Sequence, residues 1–125
     1  MPTRFRSSAA VLCVSDPRET IGYLTAKLGF ELSGTVGDEP AWASLSRDAV
    51  EVMVVCGPFP DPAADWAVYV YLDDADAYYE EVKARGADLV GAPVDKPYGN
   101  REFEARLPDG RLLAFGSPIP SAPVQ

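Results

Sequence analysis

"DDADAYYEEVKARG" (residues 73–86) begins with acids, continues with helical spacing and stops at a glycine, and "DPRETIGYLTAKLG" (residues 16–29) has the same design. In the earlier copy Asp16 is placed to cap a helix, Pro17 suits its first position and Glu19 stands at the capping-box spacing. Ile21, Leu24 and Leu28 fall on one face, and Gly29 supplies the stop. In the later copy Asp73 or Asp74 caps, while Ala75, Tyr78, Tyr79 and Val82 form the apolar face. Glu81 is spaced to pair with Arg85, and Gly86 ends the helix. The terminal glycines lie 57 residues apart (86 − 29), as do Gly34 and Gly91, whereas the caps lie 57 or 58 apart. A one-residue slip inside the helix reconciles the counts.

Working outward, each helix follows a strand-like run, "AAVLCV" (9–14) or "AVYVYL" (67–72), rich in β-branched or aromatic residues. Each also precedes three more: "FELS" (30–33), "AWASL" (41–45) and "VEVMVV" (50–55), then "ADLV" (87–90), "REFEAR" (101–106) and "RLLAFG" (111–116). Arg47-Asp48-Ala49 and Pro108-Asp109-Gly110 supply turns at matching places. The predicted fold is therefore α+β, two tandem βαβββ modules in one unit of 125 residues. Module one covers about 9–55, a linker about 56–65 and module two about 66–117, and a proline-rich tail at 118–125 is expected to be extended or frayed. Two curved sheets with one face each under a helix leave their other faces to form a cavity.

Eleven basic residues against nineteen acidic give a net charge of −8, which repels nucleic acid and favours cationic or neutral partners. No apolar run approaches the ~20 residues of a membrane helix, so no membrane partner is expected. "MPTRFRSSAAVLCV" reads as a first strand rather than a signal peptide. Cys13 and Cys56 fit no zinc spacing, each sits in a hydrophobic strand-like run, and they read as reduced core thiols of a cytoplasmic protein. There is no histidine, which excludes Ser/His and Cys/His nucleophile pairs and the commonest transition-metal ligand.

The segments "VSDPRETIGYLTAKLGFE" (14–31) and "YLDDADAYYEEVKARGADLVGAPVDKPYGNREFEARLPDGRLLAFG" (71–116), in this β-α-β-β-β order, resemble the vicinal oxygen chelate superfamily of glyoxalases, bleomycin-resistance proteins and dioxygenases. The resemblance spans residues 9–117. Through "KPYGNREF" (96–103) and "LPDGRLLAFG" (107–116) together it is nearest the bleomycin-resistance branch. It implies concave sheet faces that form a cavity, often shared across a homodimer. Enzymes of that superfamily hold a metal with His, Gln or Glu on the first and last strand of each module. The matching positions here are Ala9, Ala67, Met53 and Ala114, which offer a divalent cation nothing but one soft thioether. No metal and no other cofactor is therefore expected.

If Ala67 faces the cavity, strand alternation turns Tyr69 and Tyr71 inward and leaves Val68, Val70 and Leu72 beneath the helix. Ala114 brings Leu112 and Gly116 inward, and Glu51 accompanies Met53. Glu102 and Glu104 turn inward, leaving Phe103 and Ala105 for the core. Trp42, Trp66 and Tyr98 stand where an aromatic reaches a rim. Taken singly, these aromatics also fit plain core packing and these glutamates an exposed strand face. Together, Trp42, Glu51, Met53, Trp66, Tyr69, Tyr71, Tyr98, Glu102, Glu104 and Ala114 describe a pocket for a cationic or aromatic organic molecule.

The expected function is metal-free binding of the bleomycin-resistance type, a homodimer sequestering its small ligand without transforming it, with no catalytic residue. The alternative is a lyase, isomerase or hydrolase with Glu51, Glu102 or Glu104 as general base, with or without a noncanonical metal. A third reading is a subunit or regulator with a vestigial cavity.

Overall fold

The computed structural model describes residues 3–37, 42–57 and 66–120. Its first half runs β1 (Ala10–Val14), α1 (Pro17–Ala26), β2 (Glu31–Val36), β3 (Trp42–Arg47) and β4 (Val50–Cys56). The second repeats the order with β5 (Trp66–Tyr71), α2 (Ala75–Ala84), β6 (Leu89–Asp95), β7 (Asn100–Arg106) and β8 (Leu112–Pro118). Each half folds its strands into a four-stranded sheet, ordered β1-β4-β3-β2 and β5-β8-β7-β6. In both, the first strand pairs parallel with the last and the remaining pairs are antiparallel. The fold is α+β, as the repeat requires.

The helices start where their caps predict. Asp16 Oδ1 accepts from the Glu19 amide at 3.2 Å, and Asp74 Oδ1, rather than that of Asp73, accepts from the Ala77 amide at 3.0 Å. Both helices have 10 residues and start 58 positions apart (75 − 17), so the slip is not inside the helix. It lies in the turn that follows. In α1 both Lys27 and Leu28 donate to the Tyr23 carbonyl and Phe30 donates to that of Leu24, whereas after α2 Gly86 and Ala87 donate to Lys83 and Val82. Leu28 is fully buried, so burial of its side chain repays the irregular turn before Gly29. Gly29 and Gly86 reverse the chain at φ 77 and 83, a region costly for any other residue.

The edge strands repeat an irregularity as well. The β2–β3 register shifts between Leu32 and Gly34 and the β6–β7 register between Val90 and Val94, at the two glycines 57 residues apart. β6 consequently runs on to Asp95, past the expected 87–90. β8 likewise reaches Pro118, which tolerates a strand end because it needs no donor there, and Ile119 still donates to the Gly99 carbonyl at 2.8 Å. The expected linker from 58 onward and the tail from 121 lie outside the described residues.

Alternation decides which sheet face meets the helices. Leu12, Val14, Leu45, Val52 and Val54 from one sheet and Phe103, Ala105, Leu113 and Phe115 from the other join Leu24, Leu28 and Val82 in one continuous core. Each large aliphatic side chain buried there contributes roughly 1.5–3 kcal/mol. Polar contacts tie the modules across this core. Tyr78 donates to the Leu28 carbonyl at 2.6 Å, and the Asp88 amide donates to the Tyr23 hydroxyl at 3.0 Å. Arg47 grips both oxygens of Glu81 at 2.6 and 2.8 Å, and Arg111 donates to the Cys13 carbonyl. The helix-facing sides are thereby consumed, and the opposite faces carry exposed Val11, Tyr71 and Val90, while Cys56, expected in the core, is exposed at the end of β4 and Cys13 is only partly buried.

Candidate functional site

On the face of the second sheet away from the core, Glu102 and Glu104 alternate with buried Phe103 and Ala105, as expected. Glu102 is only 2% exposed, which for a carboxylate demands partners. They are phenols. Tyr69 donates to Glu102 Oε1 at 3.0 Å, Tyr98 donates to the same oxygen, and Asn100 Nδ2 donates to the Tyr69 hydroxyl at 3.0 Å. Trp66 Nε1 donates to Glu104 Oε2 at 2.7 Å. The rings form a row, Trp66 edge-on to Tyr69 at 5.1 Å and Tyr69 tilted against Tyr71 at 5.0 Å.

Alternation alone does not produce this row. The β5–β8 register slips between Trp66 and Val68, a bulge that places Trp66 beside Tyr69. Ala67, expected to face the cavity, instead packs with Val68 against the core. Ala114 sits between Tyr69 on β5 and Glu104 on β7 with no exposed surface, so it is floor beneath the side chains rather than a contact for a ligand. Trp66, Tyr71 and Tyr98 remain substantially exposed, and none is a core residue.

Electrostatics follow from these contacts. The Tyr98 phenol is pushed up from 10.0 to about 12, chiefly because its hydrogen bond to Glu102 favours the protonated form. Burial first, and Glu102 further, also raise the Tyr69 phenol, against the lowering effect of Asn100. Both phenols therefore remain donors at neutral pH. The arginines of β7 serve elsewhere: Arg101 pairs with Asp76 and Asp95, and Arg106 with Asp88. Among the described residues Glu51, Glu102 and Glu104 enter no ion pair. The face is aromatic and acidic, without a neutralising cation of its own.

Sequence-selected residues of the first sheet are only partly gathered here. Glu51 lines, with Tyr69 and Tyr71, a cleft of about 320 Å³ where the sheets adjoin. Trp42 and Met53 stand apart from it, Trp42 leaning over Gly34 and Met53 between Val11 and Ser44. Asn100 and the role of Gly116 escaped the sequence reading. Asn100 was accessible by extending the period-two series of Glu102 and Glu104 back one step, whereas Gly116 required knowing where Tyr69 lies.

A profile of the Glyoxalase/Bleomycin resistance protein/Dioxygenase superfamily matches residues 6–115. The chain belongs to that superfamily. Among solved structures it is similar to TioX from Micromonospora sp. ML1, at 25% identity and TM-score 0.77, with 92% of this chain and 100% of that one covered. The bleomycin-binding protein of bleomycin-producing Streptomyces verticillus, complexed with copper(II)-bleomycin, shares 22% identity at TM-score 0.76, over 94% of this chain and 100% of its own. A glyoxalase-related enzyme from Clostridium phytofermentans shares 20% at TM-score 0.77, over 94% and 98%. No functionally curated protein matches. A binding protein and an enzyme thus share this fold, and chemistry must be argued from the site.

The superfamily's enzymatic metal does not fit the residues present. The chain has no histidine and its one glutamine is residue 125, Ala67 does not face the cavity as expected, and no three His, Cys, Asp or Glu side chains cluster suitably among the described residues.

Proposed function

We propose that this member of the superfamily binds a small, cationic, partly aromatic organic molecule without transforming it, on the face carrying Trp66, Tyr69, Tyr71, Tyr98, Glu102 and Glu104. One observation carries this reading: two carboxylates on that face, one of them buried, have only neutral partners, the phenols of Tyr69 and Tyr98 and the indole of Trp66. A ligand cation supplies the missing positive charge, and its aromatic part stacks on Tyr71 and Trp66. The likeness to the copper(II)-bleomycin-binding protein supports a binding role at the level of fold. A second copy completes the cavity in this proposal, covering the exposed sheet faces. The unpaired Cys13 and Cys56 suit the reducing cytoplasm, and no helix among the described residues is long and apolar enough to cross a membrane.

The test is a thermal-shift screen of organic cations against neutral and anionic analogues, followed by calorimetry and recovery of the ligand. A ligand at 100 times its Kd stabilises by about 2.7 kcal/mol. Binding of cations, recovered unchanged, supports the proposal. A preference for anions overturns it, and turnover of the ligand moves the protein to the Glu-based enzyme reading.

A further inference from the structure

A second and larger cleft, about 410 Å³, opens where the β3–β4 turn of module one faces the start of α2. None of Trp66, Tyr69, Tyr98, Glu102 or Glu104 lines it, and it adjoins the sheet-face cleft along a shared edge of Ala49, Val50, Val70 and Tyr71. Its floor is apolar: Phe30, Val70 and Phe115, all buried. One wall is already satisfied and therefore fixed, because Tyr78 donates to the Leu28 carbonyl while Arg47, lying over the Tyr78 ring, donates to the same carbonyl and to Glu81.

The mouth differs. Asp48 and Asp73 line it, and among the described residues neither side chain has a hydrogen bond or an ion pair. Asp74 beside them is engaged as the α2 cap. The roughly half positive charge of the α2 N-terminus is outweighed by Asp73 and Asp74, Asp76 being paired with Arg101. The guanidinium of Arg47 is turned to Glu81 and the Leu28 carbonyl, and it reaches Asp48 only by longer-range attraction, without a hydrogen bond or ion pair. The volume falls within the roughly 300–1,000 Å³ of small-molecule sites.

We propose that this inter-module cleft is a second binding site, for a small primary amine on an apolar body, with the apolar part on Phe30, Val70 and Phe115 and the ammonium between Asp48 and Asp73. This site has its own anchoring acids and does not rest on the proposed function of the sheet face, although the two adjoin at Tyr71. An occupant bridges β3–β4 of one module to α2 of the other, so it stabilises the contact between them.

The probe is phenethylammonium, with phenylacetate and 2-phenylethanol as charge controls, followed by amide chemical shifts on the full chain. Phenethylammonium is expected to shift residues 47–50 and 70–78, phenylacetate not at all and the alcohol more weakly. Asp48→Asn with Asp73→Asn, which keeps the Asp74 cap and a residue tolerant of φ 51 at position 48, weakens binding about tenfold or more. Ala77→Phe, at an exposed helix position on the cleft wall, fills the space and abolishes binding. Glu102→Gln with Glu104→Gln leaves the shifts at residues 47–50 and 72–78 unchanged, which separates this site from the sheet face. Equal binding of the three probes, shifts confined to residues 98–104, or binding unaffected by Ala77→Phe would each overturn the proposal.

Discussion

Tyr69 lies across Gly116: a Cβ built at residue 116 would stand 1.9 Å from the Tyr69 hydroxyl oxygen and 2.7 Å from Cζ. Gly116 pairs with Tyr71 on one side and with Glu102 on the other, so the bare backbone of β8 is the path by which a β5 phenol reaches a β7 carboxylate. The backbone of Gly116 has no positive φ, so an alanine there meets only the steric conflict. Gly116→Ala is expected to cost about 1–3 kcal/mol through overpacking and to expel Tyr69 from its bond to Glu102. Urea denaturation measures the first, and tyrosine fluorescence or ring chemical shifts measure the second. Unchanged stability together with an unmoved Tyr69 ring would show that β8 yields instead.

The phenols give a titration signature. Tyr98 is raised from 10.0 to about 12, mainly by its hydrogen bond to Glu102, and Tyr69 is raised as well. A raised folded value for an acid means that the folded state holds the proton longer than the unfolded state. The resulting stability is complete below pH 10 and is lost as pH climbs toward 12. Phenolate absorbance should therefore show two late-titrating tyrosines at this face. Glu102→Gln should bring Tyr98 back toward 10.0, and a Tyr98 titration indifferent to that change would break the link to Glu102.

Much of this architecture is legible in the chain because its causes are local. Asp16 and Gly29 bracket a helix by capping chemistry within a few residues, and the Glu102-Phe103-Glu104-Ala105 alternation tells which face is dry. The bulge at Ala67 is not legible, since "WAVYVY" reads as a regular strand in either register and the slip is set by pairing with β8, 45 residues on (112 − 67). The burial of Glu102 is equally hidden. It depends on a tyrosine from β5, a tyrosine before β7 and a glycine on β8, whose meeting is a property of the sheet.

The Arg47–Glu81 pair is a clasp between modules, with two hydrogen bonds and Arg85 at 3.4 Å from the same carboxylate. Arg47 first of all holds the Glu81 carboxyl below its ordinary 4.5. A depressed carboxylate contributes stability that is complete above pH 4.5 and is lost as pH falls through the lower folded value. Glu81→Gln is expected to cost about 1–2 kcal/mol at pH 7, modest because both side chains are about a third exposed. The cost should shrink at a pH below that lowered folded value, where wild type has lost its charge as well. Denaturant curves at the two pH values check this, and an equal cost at both would assign Glu81 a packing role only.

The carboxylates of the sheet face are where the binding proposal is most exposed to test. Glu102 holds two phenols on one oxygen, so Glu102→Gln leaves an acceptor for Tyr98 and Tyr69 in place and removes the charge with little change in packing. Glu104→Gln likewise keeps an oxygen for Trp66. If a ligand cation is held by those charges, the double variant loses two charge-assisted contacts and should bind about 10- to 100-fold more weakly. Tyr69→Phe, which keeps the ring and both carboxylates, should cost far less. Wild-type affinity should fall as salt is raised and that of the double variant should respond little, since screening acts on the charges alone. Calorimetry with a confirmed cationic ligand decides between two pictures. If the double variant binds as tightly as wild type, the row of Trp66, Tyr69 and Tyr71 is an apolar shelf and the acids beside it are not its anchor.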